Sequence, residues 1–299
     1  MKKILLFAIA LIFVFNAKAQ EKQKNDSIVN GWTKEGNIAI LFNQSAFNAE
    51  WTGGGTSNIA GNLLLNYNLN YRMDDITWDN KFLIDYGISK QNGDNFPRKT
   101  SDRLEFNSVI GKEINESNWF YSFFLNFRTQ ITKGYEFSED PDTGETIRTE
   151  TTHFFSPGYL QVGPGLLWKK NENLYVNFAP ATARWIFVDS DFTTVEGYED
   201  GDYFGVDQGK SSRFELGFAV SAYAKFQLIE NVDLENILNL YSNYLEDPQN
   251  VDIDYTLNTT MKINDYLSTN LIFQAIYDDN AVKGFQIREV FGLGLNYKF

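Results

Sequence analysis

Residues 251–263 read VDIDYTLNTTMKI, and their alternation decides the fold. Val251, Ile253, Tyr255, Leu257, Thr259, Met261 and Ile263 share one parity, while Asp252, Asp254, Thr256, Asn258, Thr260 and Lys262 share the other. Side chains of a strand point alternately to opposite faces, so a period of two means one apolar and one wet face. Residues 213–227 repeat the pattern, with Phe214, Leu216, Phe218, Val220, Ala222, Ala224 and Phe226 set against Arg213, Glu215, Ser221, Lys225 and Gln227. In residues 59–72, Ile59, Leu63, Leu65, Tyr67, Leu69 and Tyr71 oppose four asparagines and Arg72. Residues 119–132 set Trp119, Tyr121, Phe123, Leu125 and Phe127 against Ser122, Asn126, Arg128 and Gln130.

Alternation alone fits a soluble sandwich with an apolar interior or a transmembrane barrel with an apolar exterior. Length separates them. Soluble strands run to about 5–6 residues, whereas these segments exceed the roughly 9–11 that a tilted membrane strand needs. Aromatics cluster toward the ends of the apolar faces (Trp78, Tyr86, Trp119, Trp168, Tyr244, Tyr255, Tyr266, Tyr277 and Tyr297), as expected where amphipathic rings meet headgroup layers. Strands are expected near 37–47, 57–71, 76–88, 101–113, 118–132, 154–168, 173–188, 211–227, 231–244, 251–262, 266–277 and 285–299. Short connections rich in Asp and Asn, such as Met73-Asp74-Asp75 and Asn264-Asp265, alternate with mostly longer ones such as 133–153 and 189–210. Short turns on one rim and long loops on the other mark an outer-membrane barrel. The expected fold is therefore all-β, a transmembrane antiparallel up-and-down barrel of about twelve strands. Pro180 lacks a ladder N–H and points to a bulge in the seventh strand.

The amino end is an address. Lys2 and Lys3 precede an apolar run from Ile4 to Phe15, and Ala17-Lys18-Ala19 gives a small-x-small cleavage site before Gln20. This reads as a signal peptide over 1–19, since a spanning helix needs about 20 apolar residues. No cysteine follows it, which excludes lipoprotein processing. Residues 20–36 read as a polar periplasmic leader and 37–299 as the barrel. The predicted location is the outer membrane of a Gram-negative bacterium, with outer-membrane lipid, lipopolysaccharide and the barrel assembly machinery as partners. Phe299 ends the last alternating segment in the manner of an assembly signal, and Glu289 stands out as a charge on the apolar parity.

Composition narrows the chemistry. The 299 residues contain no cysteine and one histidine, with 26 Lys+Arg against 39 Asp+Glu for a net charge of −13. Thiol catalysis, disulfides, Cys/His zinc sites and iron–sulfur clusters are excluded. Nucleic acid is an unsuitable partner, because phosphate neutralisation needs clustered Lys and Arg. His153 lies three residues from both Glu150 and Ser156, but Phe154 and Phe155 intervene and nothing fixes a catalytic geometry. Gly53-Gly54-Gly55 lacks the Lys-Ser/Thr and the helix of a phosphate loop. The acidic segments 133–153 and 189–210 have hard oxygen ligands but no complete calcium-loop spacing. No catalytic residue, metal or cofactor is expected, and no enzyme activity.

The inward parity supplies the functional candidates. Asp79, Lys81, Asp85, Arg103, Glu105, Arg128 and Gln130 should face the lumen, with Asp85, Arg103 and Arg128 joined in a cross-strand charge network toward the long-loop half. Such a ring either tunes a narrow pore for a small polar solute or plugs the barrel with satisfied ion pairs. The alternatives are a closed structural or docking barrel acting through its acidic loops, and, third, a membrane hydrolase using His153.

Several motifs together resemble one family. They are Trp51-Thr52-Gly53-Gly54-Gly55, Trp78-Asp79-Asn80, Arg98-Lys99-Thr100-Ser101-Asp102-Arg103, Phe127-Arg128-Thr129-Gln130 with Gly134-Tyr135, Ser156-Pro157-Gly158-Tyr159 and Ala179-Pro180. The combination, spread over roughly residues 40–299, is similar to the Bacteroidetes outer-membrane β-barrel family known as domain of unknown function 3078. The resemblance implies a location and a fold, and it carries no established chemistry.

Overall fold

A computed structural model describes residues 30–48, 50–53 and 55–299, with Lys283 lacking a described side chain. The signal peptide expected at 1–19 and most of the leader expected at 20–36 lie outside the described residues, as does Gly54. The strands are β1 (Gly31–Ser45), β2 (Asn58–Met73), β3 (Ile76–Gln91), β4 (Arg98–Glu113), β5 (Trp119–Thr129), β6 (Gly134–Glu139), β7 (Thr146–Thr152), β8 (Gly158–Asn171), β9 (Leu174–Phe187), β10 (Ser212–Ile229), β11 (Val232–Asn243), β12 (Asp252–Lys262), β13 (Leu267–Asp278) and β14 (Val282–Lys298). All but β6 and β7 form one closed barrel, each strand antiparallel to its neighbours, with β14 pairing β1. Twelve strands make the wall. Closure leaves no strand unpaired along its whole length on either side, as the edge strands of an open sheet are.

The wall is inverted relative to a soluble protein. Ile287 is 68% exposed, and Phe42, Phe123, Phe214, Phe291 and Leu295 also point outward into solvent-accessible space. Glu215 is 0% exposed, and Asn62, Glu105, Asn177, Arg184, Asp254 and Asn270 are buried inside. Only a hydrocarbon surround makes that arrangement favourable, so the barrel spans a membrane. At the short-turn rim, Trp32 packs 5.1 Å from Tyr71 and 5.6 Å from Trp78. Toward the other rim, Tyr277 meets Phe285 at 5.3 Å and Trp185 meets Phe214 at 5.2 Å. These are the two aromatic girdles.

Three differences from the sequence reading have local causes. The first strand starts at Gly31 rather than 37, because the polar stretch Thr33–Glu35 pairs with Asn68–Asn70 at the rim, where water satisfies its side chains. The segment 133–153 contains the two-stranded hairpin β6–β7, whose turn is closed by Asp140 Oδ1 accepting from the Asp142 and Thr143 amides. The connection after β13 is a tight turn, with the Ala281 amide donating to Asp278 O. Pro180 does mark a bulge: Ala179 pairs Ala219 and Thr182 pairs Gly217, so Pro180 and Ala181 stand opposite Phe218 alone.

Candidate functional site

Inward side chains of the twelve strands meet in a lumen of two parts. The larger is a cavity of about 700 Å³ that reaches the short-turn rim, where Glu35, Asp265, Tyr266 and Lys298 line it. Its wall is amide-rich, with Asn37, Asn66, Asn107, Asn177, Asn258 and Asn270 among the lining residues. Strand alternation places them there, since β2 and its neighbours carry Asn on the parity opposite Leu and Tyr. The Tyr175 and Tyr223 rings stack at 5.1 Å on one side of this cavity.

Toward the long-loop end the lumen narrows to a space of about 50 Å³, room for a water or two. Ion pairs fill the constriction. Arg103 donates through Nε to Glu105 Oε2 at 2.6 Å and lies 3.1 Å from Asp254 Oδ2. Arg128 donates to the same Asp254 oxygen at 2.7 Å, and Gln274 Nε2 donates to Asp254 Oδ1 at 3.1 Å. Asn107 and Asn126 donate to the second oxygen of Glu105. A second cluster lies beside it: Arg184 bridges Glu215 at 2.5 Å and Asp252 at 2.6 Å, with its guanidinium 4.0 Å above the Tyr241 ring. Charges taken out of bulk water persist only when paired and hydrogen-bonded, and every cation of this layer meets a carboxylate.

Loops add a second closure. Tyr159, Ile186, Val188 and Val206 form a buried cluster packed by Tyr203 and Phe204, and Tyr203 Oη donates to Thr151 O. Segment 188–211 therefore folds across to the end of β7. Its acidic residues mostly hold turns: Asp189 Oδ1 accepts from Asp191 N, Asp200 Oδ1 from Gln208 N, and Asp202 Oδ2 from Glu199 N. Burial pushes the Tyr203 phenol up to about 12. Oxygens of Asp252, Asp278 and Asp279 lie within 4.8 Å of one another, but Arg184 already supplies the counter-charge at Asp252.

The sequence candidates separate into groups. Lys81, Asp85, Arg103 and Glu105 line the large cavity, and Arg103, Glu105 and Arg128 line the constriction. The expected Asp85–Arg103–Arg128 network divides. Arg103 and Arg128 converge on Asp254, whereas Asp85, although opposite Arg103 in register, pairs with Arg288 of β14. Asp79 sits low on the wall, held by Lys169 Nζ at 2.6 Å. Gln130 follows β5 and lines neither of the two spaces: it donates to Ser156 O at 2.8 Å and accepts from Lys99 and Thr152. It braces the loop because β5 ends at Thr129. His153 Nδ1 faces Glu150 at 3.0 Å and Nε2 faces Asp189 at 3.4 Å. His153 and Ser156 meet through their backbones, and Ser156 Oγ accepts from the Asp189 amide at 2.8 Å.

Asp254, Arg184, Glu215, Arg288 and Lys169 went unselected in the sequence. The polar parity already placed Asp254 and Glu215 inward. Glu215 meets Arg184 directly across the neighbouring β9, whereas the arginines that meet Asp254 lie several strands away, and only the register of the closed barrel brings them to it.

The sequence profile of a family described as "Protein of unknown function (DUF3078)" matches residues 42–135. That stretch holds the Trp51, Trp78, Arg98 and Phe127 motifs, while Ser156–Tyr159 and Ala179-Pro180 fall beyond it. No curated protein matches the chain. Among solved structures, the chain is similar to the COG4313 outer membrane channel from Pseudomonas putida F1 at 12% identity and a TM-score of 0.40, over 92% of this chain and 97% of that one. It is also similar to the translocator domain of the autotransporter NalP from Neisseria meningitidis, at 8% identity, a TM-score of 0.36 and coverages of 92% and 90%. The outer membrane channel DcaP of Acinetobacter baumannii aligns at 10% identity and a TM-score of 0.29, over 90% and 96%.

Proposed function

We propose that the protein is an outer-membrane barrel that binds a small, uncharged polar solute in the cavity open to its short-turn rim, and that it rests closed toward the long loops. The observation carrying this reading is the cavity of about 700 Å³ ending at an ion-pair layer that leaves about 50 Å³. Most charges facing the cavity are neutralised within the wall. Lys81 pairs Glu235 at 3.1 Å, Lys262 pairs Asp233 at 2.5 Å, Arg103 pairs Glu105 and Arg288 pairs Asp85. The remaining hydrogen-bonding capacity is largely amide, which donates and accepts equally well and suits hydroxyl groups. Asn37 Oδ1, Asn66 Oδ1, Asp85 Oδ1 and Arg288 Nε are buried without a partner, a capacity that small side-chain rotations turn toward a solute.

Short turns face the periplasm in an outer-membrane barrel, so the solute enters from that side. Passage outward requires the Arg103–Asp254–Arg128 contacts to part, which makes the protein a narrow, intermittently open channel at most. No group is assigned a catalytic role. The test joins planar-bilayer recording with equilibrium dialysis against neutral mono- and disaccharides, using zwitterions and dicarboxylates of equal size as controls. Near-silent bilayers and retention of the neutral solutes are expected. A steady open current would refute the closed resting state, and preferential retention of charged solutes would refute the solute class. Silence without retention of any solute would favour the alternative, a closed barrel acting through its long loops.

A further inference from the structure

The ladder joining the first and last strands is short. β1 pairs β14 from Asn37↔Lys298 only as far as Phe42↔Leu293, whereas β2 pairs β3 from Asn58↔Gln91 to Met73↔Ile76. β14 continues beyond Leu293 to Val282, paired with β13 on one side. Among the described residues, its backbone meets no strand on the other side. Among the described residues, the one bond across is from a side chain, Asn43 Nδ2 to Phe291 O at 3.4 Å. The chain after β1 turns the opposite way: Ser45 N and Oγ donate to Asn58 Oδ1, and Phe47 N donates to Ser57 Oγ, which ties it to β2.

This gap lies at membrane depth. Phe285, Ile287 and Phe291 on its β14 side are all exposed on the lipid face, and Phe285 belongs to the aromatic girdle with Tyr277. Unpaired backbone in hydrocarbon is costly, so such stretches are normally covered. The comparable short ladder between β4 and β5 is covered: Asp102 accepts from the Ile131 and Thr132 amides, and Lys99 Nζ donates to Thr132 O. At β1–β14 the one such contact among the described residues is Asn43 Nδ2 to Phe291 O. Glu289 lies on the same strand, exposed and on the lipid-facing parity, between Ile287 and Phe291.

We infer that this seam is a lateral portal through which a membrane amphiphile places its polar head group into the lumen. The occupant must be amphiphilic because the gap joins a hydrocarbon face to a polar interior. Glu289 gives its head group an acceptor at the threshold. The inference concerns the wall and stands whether or not the cavity also binds a free solute.

The absence of native cysteine makes the test direct. Val290→Cys, inward at the gap, and Ser221→Cys, lining the lumen on β10, are reconstituted in liposomes containing a phospholipid with a maleimide head group. Folding is checked by heat-modifiable migration, and Asn43→Cys replaces Val290→Cys if the latter does not assemble. The gap variant is expected to form the lipid adduct at least about tenfold faster than Ser221→Cys, since only the gap exposes the lumen to lipid. A water-soluble maleimide should show no such preference. Equal, slow lipid labelling of both positions would overturn the portal. A disulfide-linked dimer of the gap variant in place of the lipid adduct would overturn it too, because a second copy's strand would then fill the seam.

Discussion

Asp254→Ala removes the carboxylate on which the constriction converges. In the native barrel Asp254 is 8% exposed and accepts from Arg103, Arg128 and Gln274. Its loss leaves Arg103 with Glu105 alone and leaves Arg128 without a carboxylate among the described residues. Removing one partner of a buried pair costs about 3–5 kcal/mol. The Arg128 side chain keeps 27% exposure and so recovers part of its hydration, which places the expected loss near the lower edge, about 3 kcal/mol. The freed guanidiniums also gain room to move toward water, so the constriction should open. Urea unfolding in detergent micelles should show the destabilisation, and planar bilayers should show new, anion-preferring openings against a near-silent native protein. Asp254→Asn, which keeps one acceptor oxygen, should lose less. Unfolding and conductance both indistinguishable from the native protein would refute the view that this layer closes the lumen.

Two further outcomes follow from other parts of the wall and its loops. Lys169 is 4% exposed and pairs with Asp79 at 2.6 Å and Glu172 at 2.8 Å, so Lys169→Met leaves Asp79 without its cation and should cost about 3 kcal/mol in the same unfolding assay; a loss well below about 1 kcal/mol would contradict the pairing. On the β6–β7 hairpin, hydrogen bonds from Lys133 at 2.6 Å and from His153 at 3.0 Å hold the Glu150 carboxyl below the usual range. A depressed carboxylate stabilises the fold fully above its unfolded value, about 4.3, and loses that contribution as pH falls through the lower folded value. Protection of the hairpin amides, taken as the intrinsic exchange rate over the observed one, should therefore fall only below about pH 4.3, and a fall in protection near neutral pH would show that Glu150 is not its anchor.

The strands and their parity were legible because lipid enforces a strict period of two over long segments, from Ile59–Tyr71 to Phe285–Phe299. Trp32 was missed as a girdle residue because the polar Thr33–Glu35 beside it resembles a leader. Pairing within the lumen was much less legible. Asp85 and Arg103 are neighbours in register yet bond elsewhere, because the cylinder brings Arg288 and Asp254 across its interior to them. Gln130 kept the inward parity on paper, but Asp102 draws the chain off the ladder just after Thr129. Such contacts depend on closure and stagger, which local alternation does not encode.

Spin-label accessibility along β12 tests the inside-out wall most directly. Single cysteines carrying a nitroxide are placed in turn at positions 253–261 of the reconstituted barrel, and collisions with dissolved oxygen are compared with collisions with a water-soluble nickel chelate. Labels at Ile253, Tyr255, Leu257, Thr259 and Met261 should favour oxygen and those at Asp254, Thr256, Asn258 and Thr260 the chelate. The opposite phase, or no alternation, would contradict a barrel with lipid outside and water within.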